Sequence, residues 1–310
     1  PFFVKAGDTV RFGCRLDGSK AASVRLEITD DHGTRSLPGT YHSTNDRGQR
    51  YFSFTHYIKQ DEKTFTYRFV TSDNETSRTY ECPVLRELTL SPELIKQSDV
   101  TNLIFRTDTQ AYRIEISSAP CIRIILSSNL TDKIYGKYDK IEQLSSIYEF
   151  KDQGGASLFR LGPALKVMVD EEGNAYNLRL HLEFPGTAVY GLGEKFDAVN
   201  QAGKKPLNYV VEQFSNQQDK TYSPIPFLFT DSGVSFLQKN TYPSSFDFTA
   251  PAGDGWVGME LFAVCPRSGI LYEASVHTGT PAELLEAYAG ETGRAVLPPK
   301  WAFGPWMSSN

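Results

Sequence analysis

The chain has 310 residues, of which 40% are hydrophobic and 22% are charged, and its formal net charge is −5. This length and composition suit a globular protein with room for two domains and a sizeable core. The mild negative charge favours neither nucleic acid nor an anionic membrane surface, and no apolar run is long enough to span a bilayer. We therefore expect partners that are neither nucleic acid nor membrane.

Four cysteines, Cys14, Cys82, Cys121 and Cys265, are dispersed along the chain. They form no C-x-x-C pair and have no histidine at ligand spacing, so the sequence predicts no metal site. Buried free thiols and a Cys14–Cys82 disulfide both remain open, because spacing alone does not distinguish them.

Residues 1–85 are predicted to form a small β-sandwich of immunoglobulin-like size. Segments such as Val24–Ile28 and Thr64–Val70 alternate apolar and polar side chains, which is the period of a half-buried strand. Turn-forming clusters such as Asp31–Gly33 separate these segments. The order of the strands loosely resembles the N-terminal modules of starch-degrading enzymes, and that resemblance implies a carbohydrate-binding-like module.

Residues 86–100 contain Pro92 among mixed polar residues and are predicted to be a linker. Residues 101–279 are predicted to be a second, larger all-β region. Its clearest alternating strand is Tyr176–Phe184, and Asp231–Gly233 is a hairpin signal between two apolar strands, Pro226–Thr230 and Val234–Leu237. So many strands over this length predict a large sandwich of two sheets.

Residues 280–310 are predicted to begin with the one convincing helix of the chain. Thr280–Glu283 is a capping box with proline at the first helical position. Leu284, Leu285 and Tyr288 are expected on one apolar face, and Gly290 and Gly293 are expected to end the helix. A proline-interrupted segment then leads to a predicted strand at Ala302–Met307.

Two motifs about a hundred residues apart carry a family resemblance. The first is Tyr190–Phe196, Y-G-L-G-E-K-F, and the second is Leu297–Trp306, L-P-P-K-W-A-F-G-P-W. Together they resemble glycoside hydrolase family 31, which includes α-glucosidases, α-xylosidases and related retaining transglycosidases. The resemblance covers roughly residues 100–310.

The resemblance implies that residues 101–279 form the galactose mutarotase-like β-supersandwich that precedes a catalytic (β/α)8 barrel. The second motif would lead into the first barrel strand, so the barrel itself is expected beyond these residues, as a partner in the same polypeptide. The intact protein would then hydrolyse or transfer α-linked glycosyl units of an oligosaccharide or α-glycoside, with retention and without a cofactor.

The same resemblance suggests substrate-binding residues but no catalytic ones. Retaining hydrolysis needs two carboxyl groups that flank the scissile bond, and in this family both are barrel aspartates. A loop at 211–222 would reach over the barrel mouth, with polar side chains that match sugar hydroxyls. The candidates there are Asn216, Gln217 and Asp219, and Trp306 and Asn310 would end the first barrel strand. Glu194 is interpreted as an acid that fixes its own glycine-flanked turn, and Asp197 is interpreted as an exposed loop acid.

Two other functions remain as alternatives. One is a carbohydrate-binding or scaffolding protein built from sandwiches, which a stop codon directly after Asn310 would favour. The other is a mutarotase-like enzyme on the sandwich alone, which would need a pair such as His181 and Glu183 converging in a pocket. A homo-oligomer is compatible with the sequence, and so are a cytoplasmic and a secreted location, of which the cytoplasmic is favoured.

Overall fold

A computed structural model describes most of the chain. The described residues are 4–17, 21–97, 100–106, 111–117, 122–128, 142–143, 147–151, 156–212, 217–218, 220–267 and 269–307.

Strands account for most of the regular structure within these residues. The first nine are β1 (Val4–Lys5), β2 (Thr9–Leu16), β3 (Val24–Asp30), β4 (Gly33–Pro38), β5 (Thr40–Thr44), β6 (Arg50–Tyr57), β7 (Phe65–Thr71), β8 (Tyr80–Cys82) and β9 (Val84–Leu90). The next nine are β10 (Pro92–Gln97), β11 (Val100–Arg106), β12 (Ala111–Ser117), β13 (Ile122–Ser128), β14 (Glu142–Gln143), β15 (Tyr148–Lys151), β16 (Ser157–Val169), β17 (Ala175–Pro185) and β18 (Val189–Gly191). The remaining elements are β19 (Leu207–Asn208), β20 (Phe227–Thr230), β21 (Val234–Gln238), β22 (Ser244–Asp247), β23 (Trp256–Val264), β24 (Ile270–Thr278), the helix α1 (Pro281–Thr292) and a 3₁₀ turn (Lys300–Phe303).

The N-terminal part is a small sandwich of two antiparallel sheets. One sheet has the strand order β2-β6-β5 and the other has the order β4-β3-β7-β8. The alternating sequence places one side chain in two between the sheets, as in β3, where Val24, Leu26 and Ile28 are buried. The core of this sandwich consists of Val4, Phe12, Val24, Leu26, Ile28, Phe52, Phe54, Ile58, Phe65, Cys82 and Val84.

The rest of the strands form a larger sandwich. Its first sheet follows the order β1-β9-β16-β17-β23-β22-β19, with β15 paired to β16, and its second follows β14-β10-β11-β12-β13-β24-β21-β20-β18. Large aromatic side chains fill the space between these sheets, among them Phe159, Phe184, Phe236 and Tyr272, each no more than 1% exposed. Full burial of each such side chain contributes about 1.5–3 kcal/mol. The predicted all-β class and two-sheet architecture are confirmed.

The segment 86–100, which the sequence analysis predicts to be a linker, contains regular strands. β9 pairs with β16 in the first large sheet, and β10 pairs with β11 in the second. β9 also pairs in parallel with β1, so the backbone of Val4 and Lys5 extends the first large sheet while the Val4 side chain packs in the core of the small sandwich. The prediction of a connector is therefore corrected. Leu88 and Leu90 alternate towards the core, a pattern that Pro92 and the polar neighbours obscure in the sequence.

The helix α1 forms where the capping box predicts it. The Thr280 side chain accepts from the Glu283 backbone N–H, and the Glu283 carboxylate accepts from the Thr280 backbone N–H. Gly293, at φ 99°, ends the helix. Leu284 is buried against Phe227 and Leu237. Leu285, expected on the same face, is instead 51% exposed, because it follows Leu284 directly and points away from the sheet.

The cysteines that the structure describes are free thiols. Cys14 and Cys82 lie in different sheets of the small sandwich and form no disulfide, and Cys265 is also free. Burial raises the pKa of Cys82 and of Cys265 to about 12. Cys121 lies outside the described residues. Of the helices in the described ranges, none is long and apolar enough to cross a membrane.

Candidate functional site

The first family motif forms a tight turn that only glycine allows. Gly191 and Gly193 have φ values of 104° and 82°, and Leu192 between them is also left-handed at 66°. A Cβ atom on Gly193 would lie 2.0 Å from the backbone oxygen of Ser223, and one on Gly191 would lie 2.5 Å from that of Phe227. The motif therefore packs directly on the backbone of the segment before β20 and on the start of β20 itself.

Backbone hydrogen bonds fasten this turn to the polar loop 211–222 and to the segment that follows the loop. The Leu192 N–H donates to the Phe227 carbonyl at 2.8 Å, and the Glu194 N–H donates to the Ser223 carbonyl at 3.2 Å. One residue of the same motif reaches the loop itself, since the Phe196 N–H donates to the Gln218 carbonyl at 3.2 Å. The turn thus positions the loop rather than providing reactive groups.

The loop is also closed on itself. The Val211 N–H donates to the Thr221 carbonyl at 2.9 Å, and the Lys220 N–H donates to the Gln217 carbonyl at 2.8 Å. Both ends of the loop are therefore held together, and the polar residues lie between fixed anchors.

Of the predicted substrate-binding residues, the structure describes Gln217 and Trp306. Gln217 is half-buried and lies among these anchors, beside the turn. Asn216, Asp219 and Asn310 lie outside the described residues. Trp306 is 72% exposed, its indole N–H donates to the Ala302 carbonyl at 2.9 Å, and its ring centroid is 6.0 Å from that of Trp301.

The two conspicuous acids after the turn differ in their surroundings. Asp197 pairs with Lys204 at 2.6 Å and accepts hydrogen bonds from Gln201 and from the Ala198 N–H. Burial alone would raise the pKa of Asp197, but these donors outweigh it and the pKa is lowered. Asp197 therefore holds its own loop as an ionised carboxylate, whereas the Glu194 side chain is exposed.

Exposed aromatic side chains flank the loop, and the sequence analysis does not identify them. Phe196, Tyr209 and Tyr222 are 61%, 42% and 41% exposed. Phe196 follows the glycine turn, and the two tyrosines lie within or next to the loop ends. The signal that could have found them is their position in segments without strand alternation, where an aromatic residue has no core face to occupy.

A second exposed apolar surface is the C-terminal tract, whose members are Val296, Leu297, Trp301, Phe303, Trp306 and Met307, each at least 69% exposed. The predicted strand at Ala302–Met307 is corrected, because Lys300–Phe303 is a 3₁₀ turn. Pro299 is its N-cap, and Gly304 and Pro305 end it, so the prolines prevent an extended strand.

The His181–Glu183 pair lies within a network of ion pairs. The two side chains are 3.4 Å apart, and the Glu183 carboxylate, which is only 2% exposed, also pairs with Arg160 at 3.3 Å. A hydrogen bond to Glu260, and then the one to Glu183, raise the pKa of His181 against the opposing effect of burial. The Glu183 carboxylate is thus held between two cationic or hydrogen-bonding partners, Arg160 and His181. In the described part of the chain no group of three or more His, Cys, Asp or Glu side chains could hold a metal ion.

Comparison with known families identifies this architecture. The family model described as the glycosyl hydrolase 31 N-terminal galactose mutarotase-like domain matches residues 23–247, more than half of the chain. The chain belongs to glycoside hydrolase family 31. The family match includes most of the small sandwich, together with the glycine turn and the polar loop.

Curated family 31 relatives match over shorter stretches. An isomaltosyltransferase of Sporosarcina globispora is 31% identical over 126 residues, which is 39% of this chain and 11% of that protein. A 1,3-α-isomaltosidase of Kribbella flavida is 30% identical over 142 residues, which is 43% of this chain and 18% of that protein. The matched part is thus less than a fifth of these two relatives' length.

Solved structures share the fold over almost the whole chain. An uncharacterized protein of Listeria monocytogenes EGD-e aligns with a TM-score of 0.75 at 18% identity, covering 98% of this chain and 32% of that one. The cycloalternan-forming enzyme of Listeria monocytogenes, solved with a pentasaccharide substrate, aligns with a TM-score of 0.67 at the same identity and coverage. At this identity the likeness shows the family 31 fold alone.

Proposed function

We propose that this chain is the N-terminal, non-catalytic part of a retaining α-glycosidase of the α-glucosidase or α-xylosidase type. The large sandwich supports a (β/α)8 barrel in the same polypeptide, and the loop 211–222 contributes to the substrate pocket. The observation that carries the proposal is the anchoring of this loop on the Tyr190–Phe196 turn, because Phe196 bonds Gln218 directly. Family membership supports the glycosidase class.

The chemistry of the loop suits a sugar. Sugar hydroxyls both donate and accept hydrogen bonds, and the side chains of Asn216, Gln217 and Asp219 provide matching partners. The anchors at Val211–Thr221 and Lys220–Gln217 hold the backbone on either side of these residues.

The exposed tract at 296–307 suits the barrel. An aromatic side chain buries about 150–250 Å² when it packs into an interface, and contiguous exposed apolar surface marks a contact site. Trp301, Phe303 and Trp306 provide such a surface directly after the helix α1. We assign them to the boundary between sandwich and barrel, and Trp306 and Asn310 to the substrate side of that boundary.

The 310-residue chain by itself is expected to hydrolyse neither an aryl α-glucoside nor an aryl α-xyloside. The physical reason is that the pair of carboxyl groups, about 5 Å apart, that retaining hydrolysis requires belongs in this proposal to the barrel. Release of nitrophenol is measured against a buffer blank. Turnover above the blank that disappears when an acid of this chain is mutated would contradict the proposal.

The loop is tested in the polypeptide that joins this chain to its barrel. Asp219→Ala or Asn216→Ala is expected to lower kcat/KM about 10- to 100-fold, since a hydrogen bond between a charged group and a sugar hydroxyl is worth about 1.5–3 kcal/mol. The free energy of unfolding should change by no more than about 0.5 kcal/mol, because a polar loop residue contributes little to the core.

Asp254→Ala is the matched control for this experiment, because it removes the same carboxylate from an exposed residue in the turn before β23, away from the loop 211–222. It should leave kcat/KM unchanged. If neither loop variant changes kcat/KM by more than about twofold, the loop does not touch substrate and is a solvated connection.

A further inference from the structure

The small sandwich contains a cleft that the proposed catalytic role does not use. β2 is an edge strand of one sheet and β8 is an edge strand of the other, so the sandwich is open between them. A cavity of about 350 Å³ lies there, beside the connection between β7 and β8. This volume is within the range of about 300–1,000 Å³ that is typical of small-molecule sites. We call it the edge cleft.

The edge cleft has an apolar floor and a polar rim. Of its lining residues, the apolar Leu16, Val24 and Phe69 are half-buried or buried, whereas the polar Arg15, Glu75 and Thr76 are exposed. Phe69 and Leu16 are only half-buried, although they pack against the core of the small sandwich. An apolar surface is therefore accessible next to hydrogen-bonding groups of both charge signs.

The rim is held in place by local hydrogen bonds. The Thr71 N–H donates to the Glu75 carbonyl at 2.9 Å, and the Glu75 N–H donates to the Thr71 hydroxyl at 3.0 Å. The Ser77 hydroxyl accepts from the Phe69 N–H at 3.0 Å, which fixes the other end of the connection. The cleft is thus preformed, and a ligand would not have to order this segment.

The rim charges decide which ligand fits. An anion would meet the Glu75 carboxylate, a cation would meet the Arg15 guanidinium, and a wholly apolar ligand would desolvate both. A neutral ring with one apolar face and several hydroxyl groups satisfies the floor and the rim together. Among the described residues the Glu75 carboxylate has no side-chain partner, whereas Arg15 forms an exposed ion pair with Asp17 at 3.1 Å.

We propose that the edge cleft binds a short neutral oligosaccharide, and that the small sandwich is a second glycan-binding site of this polypeptide. We expect this oligosaccharide to consist of α-linked glucose units. That expectation rests on the proposed function, because the substrate of the barrel would be such a glycan. The site itself rests on the cleft alone. Its role is to bind one part of a longer substrate at a site distant from the barrel.

The test uses the 310-residue chain and titration calorimetry with maltotetraose and isomaltotetraose. At least one of them should bind saturably, and raising the sodium chloride concentration should not weaken binding, because the ligand is uncharged. Catalysis is not measured, so a failure here leaves the glycosidase proposal intact. Absence of saturable binding by both sugars would overturn the inference.

Three variants localise the binding. Cys14 lines the cleft and is half-buried on the same face of β2 as Leu16, so Cys14→Trp should fill the cleft and abolish binding. Arg15→Ala should weaken binding about tenfold through the loss of a charged hydrogen-bond donor. Arg11→Ala is the matched control, because Arg11 is an exposed arginine on the same strand that does not line the cleft.

Circular dichroism confirms that each variant is folded. Retained affinity in both Cys14→Trp and Arg15→Ala would overturn the assignment to the cleft. Loss of binding in Asp219→Ala, with Cys14→Trp unaffected, would place the sugar at the loop 211–222 instead, which also overturns it.

Discussion

Replacing Gly193 with alanine is expected to destabilise the chain by about 3 kcal/mol, the upper end of the cost of a strained non-glycine residue. Gly193 has a φ of 82°, which an L side chain rarely adopts. The added Cβ would also lie 2.0 Å from the Ser223 carbonyl oxygen and 2.8 Å from the Ile225 nitrogen. Both are backbone atoms that no rotamer change can move, so the turn and the segment before β20 must separate.

Gly203→Ala separates the cost of backbone strain from the cost of the steric clash. Gly203 has a similar φ of 75°, but a Cβ there meets no atom within 4 Å, so this variant carries only the backbone strain, about 1–2 kcal/mol. Urea unfolding of the wild type and both variants measures the difference. Equal losses in the two variants would show that the turn does not pack closely on Ser223.

Gly193→Ala also tests whether the turn holds the loop 211–222 in position. Because the turn holds the loop through the bond from Phe196 to Gln218, Gly193→Ala should also increase hydrogen exchange at the Phe196 and Val211 amides. Gly203→Ala should not. Unchanged protection in Gly193→Ala would mean that the loop keeps its position without the turn.

The sequence predicts the strand content well because strand periodicity is a local property. Tyr176–Phe184 alternates cleanly and forms the centre of β17. The helix α1 is equally local, since its cap consists of Thr280 and Glu283, three residues apart. Where proline interrupts a local signal, the prediction fails. It misses the strand β10 after Ser91, and it predicts a strand at Ala302–Met307 that the structure does not contain.

Pairings between distant segments could not be predicted. The parallel pairing of β1 with β9 and the pairing of β13 with β24 depend on closure of the whole sandwich, and no single-residue pattern encodes them. The contacts of the candidate site could not be predicted for the same reason. The glycine motif is visible in the sequence, but the contact of Gly193 with Ser223 follows only from the folded chain.

A buried ionic cluster in the small sandwich is another feature that sequence separation conceals. Glu62 accepts hydrogen bonds from Arg35, from His56 at 2.9 Å and from the Lys59 N–H at 3.0 Å. Its side chain is 4% exposed, whereas Arg35 is 35% exposed and pairs also with Asp30. One carboxylate thus satisfies donors from three separate segments.

Glu62→Gln is expected to destabilise the chain by about 2–3 kcal/mol, the range for hydrogen bonds to a charged group. The amide keeps the shape of the side chain but removes the charge that Arg35 requires, and its NH₂ group would face other donors. Asp61→Asn is the matched control, because Asp61 is the adjacent acid and is exposed, and it should change stability by less than about 0.5 kcal/mol.

The dependence on pH gives an independent check on the same carboxylate. Burial would raise the pKa of Glu62, but the Lys59 N–H, His56 and Arg35 outweigh it and hold the pKa below its ordinary value. A lowered pKa in the folded state means that the stabilisation is complete above the unfolded value, about pH 4.3, and is lost as the pH falls through the folded value. The stability difference between the wild type and Glu62→Gln should therefore be constant near neutral pH and shrink below about pH 4.3. A difference that persists unchanged into acid, or one that is already absent at pH 7, would show that the charge of Glu62 does not hold this cluster together.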